Sequence, residues 1–351
     1  MPALLAQGAA ARDAGDFGAA ERLYAEAAVR WPDAPQPHHF LGGLFRAQDR
    51  LDLAEAAYRR TLAITPGAAG TQRVLATLLL SQGRYAEGFA LFEARHQHPT
   101  MRKPPLPFPE WRGEDVAGKR LLIWPEQGFG DQIQFARFAP ILKARGADVT
   151  LICHKELVRL FDQSLGVRVL AAEGAVEFPD PDYWVMQGSL AWRLGCTVET
   201  LPAQPYLHHL FAWRPFGAGF KVGLKAAGNP IHENDANRSL SPASRDALHR
   251  LPARMIGLDP VWTGARDFAD TAAIVDQLDL VISVDTAVAH LAGAMGKPCW
   301  VLLPAIDTDW RWLRGRSDSP WYPSVRLYRQ ARGEDWGPVI DRVAADLQAL
   351  I

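Results

Sequence analysis

The sequence predicts an α + α/β chain, in which an N-terminal array of helical repeats leads into two doubly wound parallel-sheet domains. Three observations predict it. Similar residues recur every 34 positions through roughly the first hundred; a proline-rich stretch then interrupts them; and from Lys119 short apolar runs alternate with helical stretches to the end. At 351 residues the chain has room for two or three compact units, taking roughly 100 to 200 residues per domain.

The repeat is legible residue by residue. Gly8 aligns with Gly42, Asp49 lies between Gly15 and Gly83, and Phe17 aligns with Leu51 and Tyr85. Ala20, Ala54 and Gly88 follow, then Tyr24, Tyr58 and Phe92, then Pro32 and Pro66. Within each copy small and aromatic residues fall at helical spacing, and the central Gly or Asp supplies a turn between two helices. The small positions let helices approach closely and the aromatic ones fill the space between pairs. The order small, aromatic, proline at this period resembles the tetratricopeptide repeat, with three copies over residues 1–96. The resemblance implies a stack that holds a protein or an extended peptide, or else serves structure and dimerisation.

The segment 97–118 carries Pro99, Pro104, Pro105, Pro107 and Pro109. Proline removes a backbone donor and clashes with the preceding turn, so the segment reads as a linker, with Pro105, Phe108 and Trp111 able to pin it to a neighbour. His96 and His98 lack further ligands at metal-binding spacing.

Two series of strands follow, one over 119–212 and one over 213–351. "RLLIWP", "DVTLIC", "VRVL" and "YWVMQ" form the first; "KVGLKAAG", "ARMIGL", "LDLVISV" and "CWVLLP" form the second. Near-continuous apolar strands separated by helices such as "DQIQFARFAPILKARG" imply parallel sheets covered on both faces. Ligands of such sheets bind beyond the carboxyl ends of the strands, so the cleft between the halves is the expected site.

Composition narrows the partners. A net charge of −1 gives no basic footprint for nucleic acid or an anionic membrane. Cys153, Cys196 and Cys299 are scattered and form no Cys-x-x-Cys pair, which fits a reducing compartment. The start lacks a basic n-region, and no run reaches the ~18 apolar residues of a membrane span. The expectation is a cytoplasmic protein.

Three motifs carry candidate chemistry. In "IWPEQGFGDQIQFARFAP" a strand runs into Gly128 and Gly130, then a helix starting near Asp131. Glycines allow close backbone approach, and a helix amino terminus aims unpaired N–H groups at the cleft. Ile133 stands where a dinucleotide fingerprint needs glycine, which argues against a nicotinamide site. Asp131 reads as a helix cap or as a carboxylate that takes a proton from an attacking hydroxyl; Glu126 is a second carboxylate on that loop, and Gln132 follows. In "KVGLKAAGNPIHENDANRSLSP", Lys225, Asn229 and Arg238 are placed to meet a phosphate, or else belong to a solvated loop. In "LVISVDTAVAHLAGAMGKPCWVLLP", Asp285 precedes Thr286 and His290, which share a helix face one turn from its start. A diphosphate there would meet backbone N–H groups, the hydroxyl and the imidazole; the alternative is a capped helix with a core histidine. After the last of these strands, Trp310 and Arg311 are candidates for contact with a base or sugar, or for the core. Asp307-Thr308-Asp309 fits an Asp-x-Asp metal pattern that often arises by accident.

"GFGDQIQFARFAP" and "LVISVDTAVAHLAGAMGKPCWVLLP" together resemble the paired signatures of bacterial heptosyltransferase-type, family 9 glycosyltransferases, over about 119–351. With the repeats in front, the whole chain is similar to tetratricopeptide-containing glycosyltransferase-like proteins. The resemblance implies a GT-B pair of Rossmann-type domains, the first on the acceptor side and the second holding a nucleotide-sugar, with no metal or other cofactor. It makes Asp131 the general base of an inverting transfer, with Glu126, Gly128, Gly130 and Gln132 near the acceptor. It puts the donor diphosphate against Asp285, Thr286 and His290, with Lys225, Asn229 and Arg238 nearby to bind it and offset leaving-group charge. The implied acceptor is a protein recruited by the repeats; the alternatives are a glycan or lipid-linked saccharide, or a scaffold without catalysis. Ala287 stands where the family has glycine, which narrows the room for a phosphate, and Lys225 where related repeat-bearing proteins often have an aromatic.

Overall fold

A computed structural model describes residues 1–126 and 128–351, in two compact units, 1–103 and 104–351. The first unit is built of helical hairpins: α1 (Pro2–Asp13) with α2 (Phe17–Arg30), α3 (Pro35–Ala47) with α4 (Leu51–Ile64), and α5 (Ala69–Ser81) with α6 (Tyr85–Phe92). The repeat explains its own packing. A Cβ at Gly8 would lie 2.4 Å from the Tyr24 ring, and one at Gly42 would lie 2.5 Å from the Tyr58 ring. The same contact thus occurs twice, one period apart. The turn residues Gly15, Asp49 and Gly83 all have left-handed φ, of 80°, 65° and 79°, the conformation that favours glycine and tolerates aspartate. Arg50 bonds Glu21 at 2.5 Å and Arg84 bonds Glu55 at 2.6 Å, again one period apart. Two 3-10 turns, Glu93–Gln97 and Pro99–Met101, complete this unit.

In the second unit the segment expected as a linker joins the first sheet from residue 104. Trp111 N donates to Trp184 O at 2.7 Å, Trp184 N donates to Pro109 O at 3.0 Å, and the Trp111 side chain is buried. The sheet contains β1 (Arg120–Trp124), β2 (Asp148–Cys153), β3 (Arg168–Ala171) and β4 (Tyr183–Met186), all parallel, in the order β3-β2-β1-β4. Its helices are α7 (Phe129–Ala136), α8 (Phe138–Ala144), α9 (Lys155–Leu165) and α10 (Leu190–Arg193). The single helix expected over 131–146 starts at Phe129 and breaks at Arg137, because Pro140 has no N–H for the Ala136 carbonyl.

The second half has β5 (Lys221–Lys225), α11 (Asp235–Arg238), α12 (Pro242–His249), β6 (Arg254–Gly257), α13 (Pro260–Thr263) and α14 (Phe268–Asp276). Then come β7 (Leu280–Val284), α15 (Ala287–Ala294), β8 (Cys299–Leu303), β9 (Val325–Arg329) and α16 (Gly337–Leu350). The parallel order is β6-β5-β7-β8-β9. Every residue of β7 and β8 is buried, as central strands covered on both faces require. The reading from sequence missed β9: it is an edge strand, and Arg326 and Arg329 interrupt its apolar run. Among the described residues no helix is long and apolar enough to cross a membrane.

Candidate active site

The carboxyl ends of β1 and β7 each hand over to a helix, and the starts of these two helices, α7 and α15, meet. Gly130 makes the meeting possible, since a Cβ there would lie 2.9 Å from His290 Cδ2. The helix starts open on a cleft of about 800 Å³ lined from both halves of the unit. Gly128, Gly130, Asp131, Lys225, Asn229, Arg238, Asp285, Thr286, His290 and Arg311 all line it. The first N–H groups of each helix have no acceptor within the helix, so polar backbone faces the cleft from both sides.

Asp131 is not the cap of α7. Gly128 holds that position and Asp131 sits in the first turn, its carboxylate folded back toward the Gly128 N–H, as acidic residues at this position do. The side chain keeps about 34% of its surface open. Arg311 Nη2 donates to Oδ1. Burial at the cleft floor raises the carboxyl's pKa above the ordinary aspartate value, opposed by Arg311 and reinforced by Asp309 and Glu126.

At the other corner Thr286 is the N-cap residue of α15, but its hydroxyl pairs with Ser283 Oγ at 3.1 Å rather than with the helix. His290 is 5% exposed, with Nδ1 3.0 Å from Tyr322 Oη and its ring stacked on Trp312. Burial and the Arg311 charge push its pKa down to about 3, so the imidazole is neutral at physiological pH. Burial pushes Asp285 up to about 7, with Asp309 adding to the rise. Trp312, Arg238 and Arg311 oppose that rise; the Trp312 N–H does so from beyond hydrogen-bond geometry. Ala287 adopts no left-handed φ, so nothing in this backbone calls for glycine there.

The cations are engaged. Lys225 Nζ bonds Asp259, and Arg238 bonds Asp235 at 3.1 Å while Nη1 donates to Asp285 O at 2.9 Å. Asn229 Oδ1 accepts from Ile231 N at 3.1 Å.

Four residues expected to contact substrate are otherwise engaged. Trp310 is buried against Trp321 and does not line the cleft, so it is a core residue rather than a platform for a base or sugar. Arg311 lines the cleft but is 7% exposed, with its edges bonded to Asp131, Asp309 and Gln134 and its plane lying against the Trp310 and Phe135 rings. Gln132 is fully buried and clamps the loop, donating to Glu126 O at 2.6 Å and accepting from His154 N at 2.9 Å. Glu126 Oε1 accepts from Gly188 N at 3.1 Å, outside the cleft. In the Asp-x-Asp stretch, Asp309 is committed to Arg311 through both oxygens. Gln134 and Asp259 do not line the cleft but bond Arg311 and Lys225, and neither was read from the sequence; Asp309 was read there only as half of an Asp-x-Asp metal pattern. Asp309 was signalled by its place two residues before an arginine; Gln134 and Arg311, 177 positions apart, carry no such signal.

No family model matches the chain. It is 30% identical to Protein FlbA of Caulobacter vibrioides in an alignment covering 90% of this chain and 62% of that protein, so the chain spans under two thirds of that relative's length. Among solved structures it is similar to a family 9 glycosyl transferase from Veillonella parvula, with 11% identity, TM-score 0.45, and 66% of this chain and 92% of that chain covered. It is also similar to a mutant form of the Thermobaculum terrenum O-GlcNAc transferase, with 15% identity, TM-score 0.30, and 99% and 90% covered.

Proposed function

We propose that the chain is a GT-B-type glycosyltransferase moving a sugar from a nucleotide-sugar to a protein acceptor held by the helical repeats, by an inverting, metal-independent reaction. One observation carries the reading: two helix amino termini, one from each parallel sheet, converge on a single cleft with a carboxylate between them. The acceptor hydroxyl gives its proton to Asp131 as its oxygen attacks the anomeric carbon. The bond from that carbon to the diphosphate breaks on the opposite face, and the nucleoside diphosphate leaves. The first-turn N–H groups of α15 receive the diphosphate, with Thr286 beside them and Lys225 and Arg238 within the same lining. Neutral His290 donates or accepts a hydrogen bond without adding charge.

A second reading has its own observation. Among the described residues every lysine and arginine lining the cleft is already paired: Lys225 with Asp259, Arg238 with Asp235, Arg266 with Asp270 and Arg311 with Asp131 and Asp309. A diphosphate must compete with those carboxylates, which favours a scaffold that keeps the fold without catalysis.

Nucleoside diphosphate release from a panel of sugar nucleotides separates the two. The wild type is expected to turn over at least one donor, and Asp131→Asn to lose about 100-fold or more of the rate. Equal rates would remove Asp131 from the role of base; no donor bound by either protein would favour the scaffold.

A further inference from the structure

We infer that Arg311 is the positioning residue for Asp131: anchored in the second half, its guanidinium holds the carboxylate of the first half where an acceptor hydroxyl would meet it. The consequence for rate rests on the transfer reaction proposed above; the hold itself does not.

Each direction of the guanidinium plane is used. Nη1 meets both Asp309 oxygens, at 3.0 and 2.8 Å, and Nε donates to Gln134 Oε1. Nη2 donates to Asp131 Oδ1. Asp309 is itself fixed, because its Oδ1 also accepts the Arg311 backbone N–H at 2.9 Å at the start of the 3-10 turn Trp310–Trp312. The guanidinium carbon lies 4.5 Å from the Trp310 ring centre and 5.5 Å from that of Phe135. A forked planar group held at every edge cannot rotate, whereas an ammonium in its place would make one flexible contact. Gln134 stands one helical turn beyond Asp131 on α7, so the guanidinium spans that helix face and ties it to the second half.

Without Arg311, the approach to the Gly128 N–H remains as a hold on Asp131 from its own helix, while a third of the side chain's surface faces an open cleft and the tie to the second half is lost. The charge acts in the same direction. Burial, Asp309 and Glu126 all favour the protonated carboxyl, and Arg311 opposes them, keeping the proton-accepting form populated.

The test uses the full-length chain with Arg311→Gln, Arg311→Lys and Asp309→Asn, the last retaining the guanidinium while removing its anchor. The first measurement is the titration of the Asp131 carboxyl carbon by NMR with carboxyl-labelled aspartate, its signal assigned by its loss in Asp131→Asn. The midpoint is expected to rise by about 1 pH unit or more in Arg311→Gln, with a smaller rise in Arg311→Lys. An unmoved midpoint in folded protein overturns the inference whatever the activity. The second measurement is the pH profile of sugar-nucleotide turnover. Arg311→Gln is expected to lower kcat at least ~10-fold with KM changed less than ~3-fold, to move the acid limb upward, and to be partly rescued by Arg311→Lys. Asp309→Asn is expected to fall between wild type and Arg311→Gln. A loss confined to KM overturns the positioning role. A moved midpoint with no turnover by the wild type refutes the transferase reading and leaves Arg311's hold on Asp131 standing.

Discussion

Asp285 and His290 lie at the same helix start with their ordinary charge states inverted by burial: the carboxyl titrates at about 7 and the imidazole at about 3. Their effects on stability oppose one another. The folded state binds the Asp285 proton more tightly than the unfolded chain does, so that term stabilises at low pH and is lost as pH rises through about 7. The folded state binds the His290 proton more weakly, so that term stabilises above about 6.5 and is lost as pH falls toward about 3. Across about pH 5 to 8 the two offset in the wild type. His290→Gln is therefore expected to gain stability on going from about pH 8 to about pH 5, and Asp285→Asn to lose it. Urea titrations at the two pH values read both signs; two slopes of the same sign would refute the assignment. Spacing placed both residues at the cleft, but it could not show that Tyr322 and Trp312 would take up the histidine, because those contacts come from loops made later in the chain.

Among the elements, the helical hairpins were the most legible, since one contact repeats at one spacing. Gly42→Ala puts a methyl group inside contact distance of the Tyr58 ring. It is expected to cost about 1 to 3 kcal/mol, as overpacking does, and to lower the thermal midpoint of the first unit. An unchanged midpoint would mean that Tyr58 yields without cost. The strands of both sheets were legible from their apolar runs, except β9, whose arginines hide an edge strand. The segment 104–118 was legible as non-helical and as one that Pro105, Phe108 and Trp111 could pin to a neighbour, but the prolines do not say that the Trp111 backbone will bond to β4.

For the whole second unit, Arg137 shows how the two halves are held together. It is 2% exposed, donates from Nη1 to Pro202 O at 3.1 Å and to Trp321 O at 2.9 Å, and lies against Tyr206, Trp321 and Tyr322. Arg159 adds a second tie from α9 to Asp267 at 2.5 Å and Asp270 at 3.2 Å. Arg137→Met removes the donor from three carbonyls, those of Gln134, Pro202 and Trp321, and the cation from its aromatic cage. It is expected to cost about 2 to 4 kcal/mol and to let the halves separate, read as a larger radius of gyration in solution scattering; an unchanged radius would show that the remaining contacts suffice. The sequence by itself determined the helical repeats, the alternation of strands and helices, and the two glycine- and aspartate-marked corners, because periodicity and turn chemistry act over a few neighbouring residues. Only the tertiary structure decided that Arg311 would be spent on Asp131, that Trp310 would be core, and that Lys225 would find Asp259. Most of those contacts join residues far apart in the chain, and their energy exists only once burial has removed the water that would otherwise solvate each charge.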